Sequence, residues 1–374
     1  MGGSGTKDRG HLQHPRRCRT VAVRLVHSPR LFQEPIALIA QGIITGLAAA
    51  VCQSFHYVIS RRFLARQGGR GTVLFGLSHA IMGVMSLALL PFFWSSRAAD
   101  VANYIYPLLA ASAAYLFGQF CLFQAFKRTD ASRVSPLLGL KLPILAMITV
   151  LFLQRPVTPL QWLAILICLT AAAGLNYAGG RVPGKALLFV LCASVGYCLS
   201  DISIVALTRR LAPDGDLRII LLSVCLTYSL CGIVGFALVG LSGRENRTAE
   251  KWRMALPVAA TWMPSMFFLF ISFWSVDALL GNIVQSLRGP FSVVLGGVIA
   301  SLGHVHLETR VTRWVLVRRL AAALLMCAAI TLFAGEKARL ANESEDNTVA
   351  PAADASGSNE RDSWYDNSME GPTP

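Results

Sequence analysis

Long apolar runs and short polar breaks alternate along the chain from residue 36 to residue 334. Ten runs result, over residues 36–60, 73–94, 104–126, 134–153, 159–178, 186–207, 219–241, 254–276, 279–302 and 314–334. A helix of about 20 apolar residues spans the hydrocarbon core of a bilayer. Backbone in lipid must satisfy its hydrogen bonds internally, so each run is predicted as a helix. The breaks between them carry Gly, Pro, Arg, Asp or Asn. The pattern therefore predicts an all-α, polytopic membrane protein with ten transmembrane helices. Residues 1–35 read as a basic, irregular tail. Residues 336–374, rich in Asn, Ser, Asp, Glu and Pro, read as a disordered polar tail.

Composition agrees with the pattern. Of the 374 residues 54% are hydrophobic and 14% charged, with a mean hydropathy of +0.53, whereas a soluble domain carries about 25% charge. The N-terminal region lacks an A-x-A cleavage site after a short apolar stretch, so no secretory signal peptide is expected. The expected location is a plasma (inner) membrane. The net charge of +14 is concentrated between apolar runs. Loop cations of this kind set topology and meet anionic headgroups. No basic stripe with interleaved aromatics points to nucleic acid. Cations are densest in the loops after odd-numbered spans, which puts both termini outside. The five arginines between Arg16 and Arg30 argue for the opposite orientation. Nine cysteines, none in a C-x-x-C pair, read as small buried hydrophobes.

Two copies of one pattern lie in the chain. KRTDASRVSPLLGLKLPILAMITVLFL, residues 127–153, is followed about 147 positions later by WSVDALLGNIVQSLRGPFSVVLGGVIA. Asp130-Ala131 falls on Asp277-Ala278, Lys141 on Arg288 and Pro143 on Pro290. Ser60-Arg61-Arg62 falls on Thr208-Arg209-Arg210 with nearly the same offset, which places Gln53 on Asp201, and the first offset places Tyr115 on Trp262. The polar matches divide the chain into repeats at 36–180 and 185–335, each of five helices. An odd number inverts the second half relative to the first. Inverted repeats are the architecture of many secondary transporters, with the substrate site near the midplane between the halves.

The stretch AFKRTDASRVSPLLGLKLPILAMITVLFLQRPVTPLQWLAILICLTAAAGL resembles the most characteristic part of an EamA-type repeat, of the drug/metabolite transporter superfamily. Residues 275–334 resemble the same pattern more loosely. The resemblance implies a ten-helix carrier with cytoplasmic termini. Such repeats carry Gly-Glu after the fourth helix, where this chain has Gln154-Arg155.

A charge at the centre of a membrane helix costs about 2.5–3.5 kcal/mol on insertion scales, so a chain that keeps one uses it. Lys141 and Arg288 are the first candidates. As a pair facing a central cavity they would attract an anionic group, Lys as a point charge and Arg as a planar fork. The plainer reading ties each to a buried carboxylate or backbone carbonyl. Asp201 is read either as a proton-coupling carboxylate or as a structural counter-ion to one of those cations. Gln285, Arg288 and Ser292 share one side of the ninth span, with Asn282 close by. Gln53 and His56 on the first span, and Gln119 and Gln124 on the third, are candidates for the cavity wall or for helix packing. Tyr115 and Trp262 carry the same two readings. His304, His306 and Glu308 alternate, without a further Cys or His near them, and no metal site is assigned.

Nucleotide-binding loops and hydrolase motifs are missing from the sequence, so neither enzyme chemistry nor a cofactor is expected. The expected function is secondary transport of a small polar, anionic or zwitterionic metabolite by alternating access. The substrate-binding residues would be Lys141, Arg288, Gln285, Asp201, Gln53 and Gln119, with protons as a possible coupling ion. The partners are a small-molecule substrate and membrane lipid, and the protein is a monomer or homodimer. The alternative is a non-transporting integral membrane protein, an assembly partner or an intramembrane enzyme.

Overall fold

The computed structural model describes residues 34–66, 71–126, 128, 138–154, 156–176, 183–288, 291, 294–295 and 313–357. Asp130, Pro290, Ser292, His304, His306 and Glu308 lie outside the described residues, as do positions 1–33 and 358–374.

Nine helices and no strands are present among the described residues. They are α1 (Glu34–Arg66), α2 (Gly71–Phe93), α3 (Val101–Phe126), α4 (Lys141–Leu151), α5 (Pro159–Asn176), α6 (Gly184–Leu211), α7 (Leu217–Leu241), α8 (Ala249–Gln285) and α9 (Arg313–Gly357). Six of them, α1, α2, α3, α6, α7 and α8, are long and apolar enough to cross a membrane, and α4 and α5 are shorter apolar helices.

The radial distribution of side chains is that of a protein in lipid. Ile44, Leu87, Phe117, Leu199 and Ile233 point outward from the interior of their helices. Gln53, His79, Gln119, Lys141, Asp201, Asn282 and Gln285 are buried. Water rewards the reverse arrangement, whereas in hydrocarbon polar groups turn toward protein and toward one another. The chain is an integral, multi-pass membrane protein.

The helices pack in matched pairs. The most extensive packing joins α1 to α8, α3 to α6 and α2 to α7, while α5 packs on α9. Hydroxyls and small residues make these contacts. Ser272 Oγ donates to the Gly42 carbonyl at 2.7 Å and Ser265 Oγ to that of Ala49 at 3.0 Å, joining α8 to α1. Ser200 Oγ donates to the Ala111 carbonyl at 3.0 Å, joining α6 to α3. Gly118 and Gly196 let those two backbones approach. In lipid, where apolar surface gives no preference for protein, such short-range contacts hold helices together.

The structure bears on two sequence expectations. The break expected between the spans at 254–276 and 279–302 is present inside α8, where two helices meet at a non-helical Asp277 (φ 69°, ψ 166°) and the second runs on to Gln285. That conformation suits glycine and costs a non-glycine residue about 1–3 kcal/mol. It is held because the Asp277 carboxylate takes Arg209 from α6 and Lys337 from α9. Lys337 Nζ also donates to the Val276 carbonyl at 2.7 Å, a group freed by the break. A correction concerns the stretch from Glu336, expected to be disordered. It continues α9 to Gly357. Glu336, Arg339 and Glu343 form an ion-pair ladder at i, i+3 and i, i+4 spacing, which supports a helix that composition alone would not.

At one end of the bundle Arg97, before α3, makes a two-pronged pair with Asp214, in the α6–α7 turn, at 2.6 and 2.7 Å. The Arg97 guanidinium holds the Asp214 carboxyl at about 2, below the ordinary carboxylate range. A depressed carboxylate stabilises the fold above its unfolded pKa, and that contribution is lost as pH falls through about 2. Both groups are exposed, so the contribution is small. Asp214→Asn is expected to leave the apparent melting temperature of the purified protein nearly unchanged at pH 7. It should also flatten the acid limb of its stability profile, as a thermal-shift series over pH would record.

Candidate functional site

Where α1, α6 and the second part of α8 converge with the start of α4, the buried polar residues surround a cavity of about 50 Å³. Gln53, Lys141, Asp201, Gln285 and Arg288 line it, with Asn282, Ser200 and Thr227. Tyr57, Tyr115, Tyr197, Tyr228 and Trp262 supply aromatic walls.

Lys141 opens α4, directly after the 3-10 turn Leu138–Leu140. Its ammonium meets the Asp201 carboxylate at 2.5 Å, and both side chains are buried. The same carboxylate oxygen accepts from Asn282 Nδ2 at 2.7 Å. The Lys141 charge lies 5.5 Å from the centre of the Tyr197 ring, within range of a cation–π contact. Arg288 lies on the other side of the site, and its Nη1 donates to Gln53 Oε1 at 3.1 Å. Among the described residues no carboxylate pairs with Arg288. Gln285, one turn earlier and 2% exposed, finds no hydrogen-bond partner for either amide atom among the described residues. Burying an amide in that state costs about 1–3 kcal/mol by mutational measures.

The remaining candidates divide. Gln119 is buried and off the cavity, with its Oε1 accepting from the Tyr197 hydroxyl. It sits behind a wall residue and orients it. His56 donates from Nδ1 to the Val258 carbonyl at 3.0 Å and packs its ring 4.5 Å from that of Trp262, so it joins α1 to α8. Gln124 accepts from Arg128 near the end of α3. Tyr115 and Trp262, matched in the repeat, are wall residues with ring centres 6.2 Å apart. Tyr115 is hydrogen-bonded to His79 Nε2 at 3.2 Å, and Trp262 Nε1 donates to the Tyr228 hydroxyl at 2.8 Å.

Three wall tyrosines escaped the sequence reading: Tyr57, Tyr197 and Tyr228. Helical spacing contained the signal for two of them. Tyr57 follows Gln53 by four residues and Tyr197 precedes Asp201 by four, so each shares a helix face with a polar candidate. Tyr228 carries a repeat signal, since it stands opposite His79 at nearly the same offset.

Residues 40–177 match the model of the EamA-like transporter family. No curated protein matches the chain. Among solved structures, one crystal structure of a protein is similar with a TM-score of 0.56 and 12% identity. The similarity covers 78% of this chain and 96% of that one. At that identity the likeness speaks to the fold alone.

Proposed function

We propose, from the premise that residues 40–177 belong to the EamA-like transporter family of the drug/metabolite transporter superfamily, that the chain is a secondary carrier of a small anionic or zwitterionic metabolite. It is built as ten helices in two inverted repeats and works by alternating access.

The helix pairing supports the repeat reading. If α1–α5 form one half and α6–α9 the other, with α8 counted as two helices joined at Asp277, exchanging the halves turns the α1–α8 pair into α6–α3. The α2–α7 and α5–α9 pairs map onto themselves. Those are the pairs that pack. A pseudo-twofold arrangement of this kind places equivalent residues of both halves around a shared centre, as inverted-repeat carriers require.

The observation that carries the functional reading is the cross-pairing at the cavity. Lys141 of the first half meets Asp201 of the second, and Arg288 of the second half meets Gln53 of the first. Both contacts link the halves, so parting the halves breaks them. A substrate that replaces one partner would offset the loss and bias the two arrangements, as differential binding demands.

Arg288 is assigned the anionic group of the substrate, because its present partner is a neutral amide. In proteoliposomes loaded by counterflow from a panel of amino acids, organic acids, sugar phosphates and nucleotide sugars, Arg288→Ala is expected to lower uptake of the accepted solute at least about thirtyfold. That factor corresponds to the lower end of the 2–5 kcal/mol range for truncating a buried charge pair. Near-normal uptake by this variant removes Arg288 from the site. No uptake of any solute by the wild-type protein removes transport.

A further inference from the structure

Gln53 and Asp201 occupy matched places in the two halves, and each receives the cation of the other half. The geometry is paired, but the charges are not. Asp201 cancels Lys141. Gln53 contributes an amide oxygen to Arg288 and leaves its charge standing. Among the described residues that line the cavity, one positive charge remains uncompensated. Three positions before Arg288 on the same helical stretch, Gln285 holds a donor and an acceptor that none of the described residues satisfies.

We infer that the site accepts a monoanion that carries, next to its charged group, a neutral group able both to donate and to accept a hydrogen bond, such as a carboxamide. The identity of residue 53 relative to residue 201 fixes that valence. A dianion brings one more negative charge than the cavity cancels. A neutral ligand leaves Arg288 desolvated with only Gln53. In a poorly hydrated site both mismatches are costly, because Coulomb interactions there are several times stronger than in water. The carboxamide end of such a ligand meets Gln285 amide to amide, with both of its hydrogen bonds made. The aromatic walls tolerate its apolar part. The inference rests on the carrier reading for its physiological meaning, but it concerns binding and is tested by binding.

Succinamide, succinamate and succinate share one carbon skeleton and carry zero, one and two negative charges at pH 8. Their effect on the unfolding temperature of the purified full chain in detergent, followed by titration calorimetry, gives the charge preference directly. The wild-type protein is expected to bind succinamate at least about tenfold more tightly than either neighbour. Gln53→Glu, which gives Arg288 a carboxylate, is expected to move the preference to neutral succinamide. Asp201→Asn, which frees Lys141, is expected to move it to succinate. Gln285→Leu is expected to weaken succinamate while leaving the order of charges intact. A wild-type preference for the dianion overturns the inference. So does a preference that neither variant moves, or no stabilisation by any of the three. Counterflow into proteoliposomes separates this outcome from the fate of the carrier reading. Uptake with an unmoved charge preference overturns the valence assignment and leaves transport standing. A switched preference without uptake of any solute does the opposite.

Discussion

Lys141→Met is expected to lower the stability of the purified protein by about 3–5 kcal/mol, the usual consequence of removing one member of a buried ion pair. The Asp201 carboxylate would keep only Asn282 as a donor, in a place from which water is nearly excluded. Asp201→Asn alone should be harmful for the mirror reason, since it leaves the ammonium buried beside the Tyr197 ring with no counter-charge. The double variant Lys141→Met/Asp201→Asn removes both charges and is expected to recover most of the loss, because a neutral pair of similar volume avoids the desolvation that the ion pair must offset. The coupling between the two positions should exceed about 2 kcal/mol, toward the upper end of the range for residues in one network. The half-life at a fixed elevated temperature is a suitable readout, since membrane proteins rarely unfold reversibly. Additive single effects would mean that the two groups do not depend on each other. Arg288→Leu provides the contrast. It strands only a neutral amide oxygen on Gln53, so its effect on stability is expected to be the smaller of the two, about 1–3 kcal/mol, while its effect on solute uptake is the larger.

The proposed division of labour between two matched cations is only half legible in the sequence. The apolar runs located the helices, because in lipid the length of a run and the need for internal hydrogen bonding leave little else for the chain to do. The repeat offset put Gln53 opposite Asp201 and Lys141 opposite Arg288 before any contact was known. It could not say which acid met which cation, since one-dimensional register does not tell which helices of the two halves pack together. Packing of α6 against α3, with the start of α4 alongside, brings Asp201 to Lys141 rather than to Arg288. The aromatic walls were harder still. A tyrosine in an apolar run looks the same whether it faces lipid, core or cavity, and only its spacing from a polar neighbour separates Tyr57 and Tyr197 from the rest. The continuation of α9 past Glu336 was hidden for another reason. Composition measures the apolar surface a segment can bury, but the ladder of Glu336, Arg339 and Glu343, with Lys337 reaching back to Asp277, is a matter of which side chains fall one turn apart.

The crossing of α2 and α7 is the place where one methyl group should matter most. A Cβ added at Gly83 would lie 2.6 Å from the Gly232 Cα, and one added at Gly232 would lie 2.5 Å from the Gly83 Cα. Both obstacles are backbone, so no rotamer change relieves them, and the two helices must separate by about 1 Å to restore ordinary contact. The hydrogen bonds that support the cavity wall sit one turn away on the same helices. His79, four residues before Gly83, holds Tyr115, and Tyr228, four residues before Gly232, holds Trp262. Spreading the crossing therefore loosens the packing and the aromatic wall together. Gly232→Leu is expected to destabilise the protein by about 3 kcal/mol or more, at or beyond the upper range for overpacked cores. It should appear as loss of the monodisperse peak in size-exclusion chromatography. Gly232→Ala, with a smaller intrusion, should remain folded but bind ligand more weakly, because Tyr115 and Trp262 shift with their helices. Gly240 lies two turns further along α7 with nothing near its Cα hydrogens, so Gly240→Leu serves as the control and should behave as wild type. If Gly232→Leu and Gly240→Leu purify and melt alike, the two helices do not cross where the glycines meet, and the pseudo-twofold centre that the carrier reading requires is misplaced.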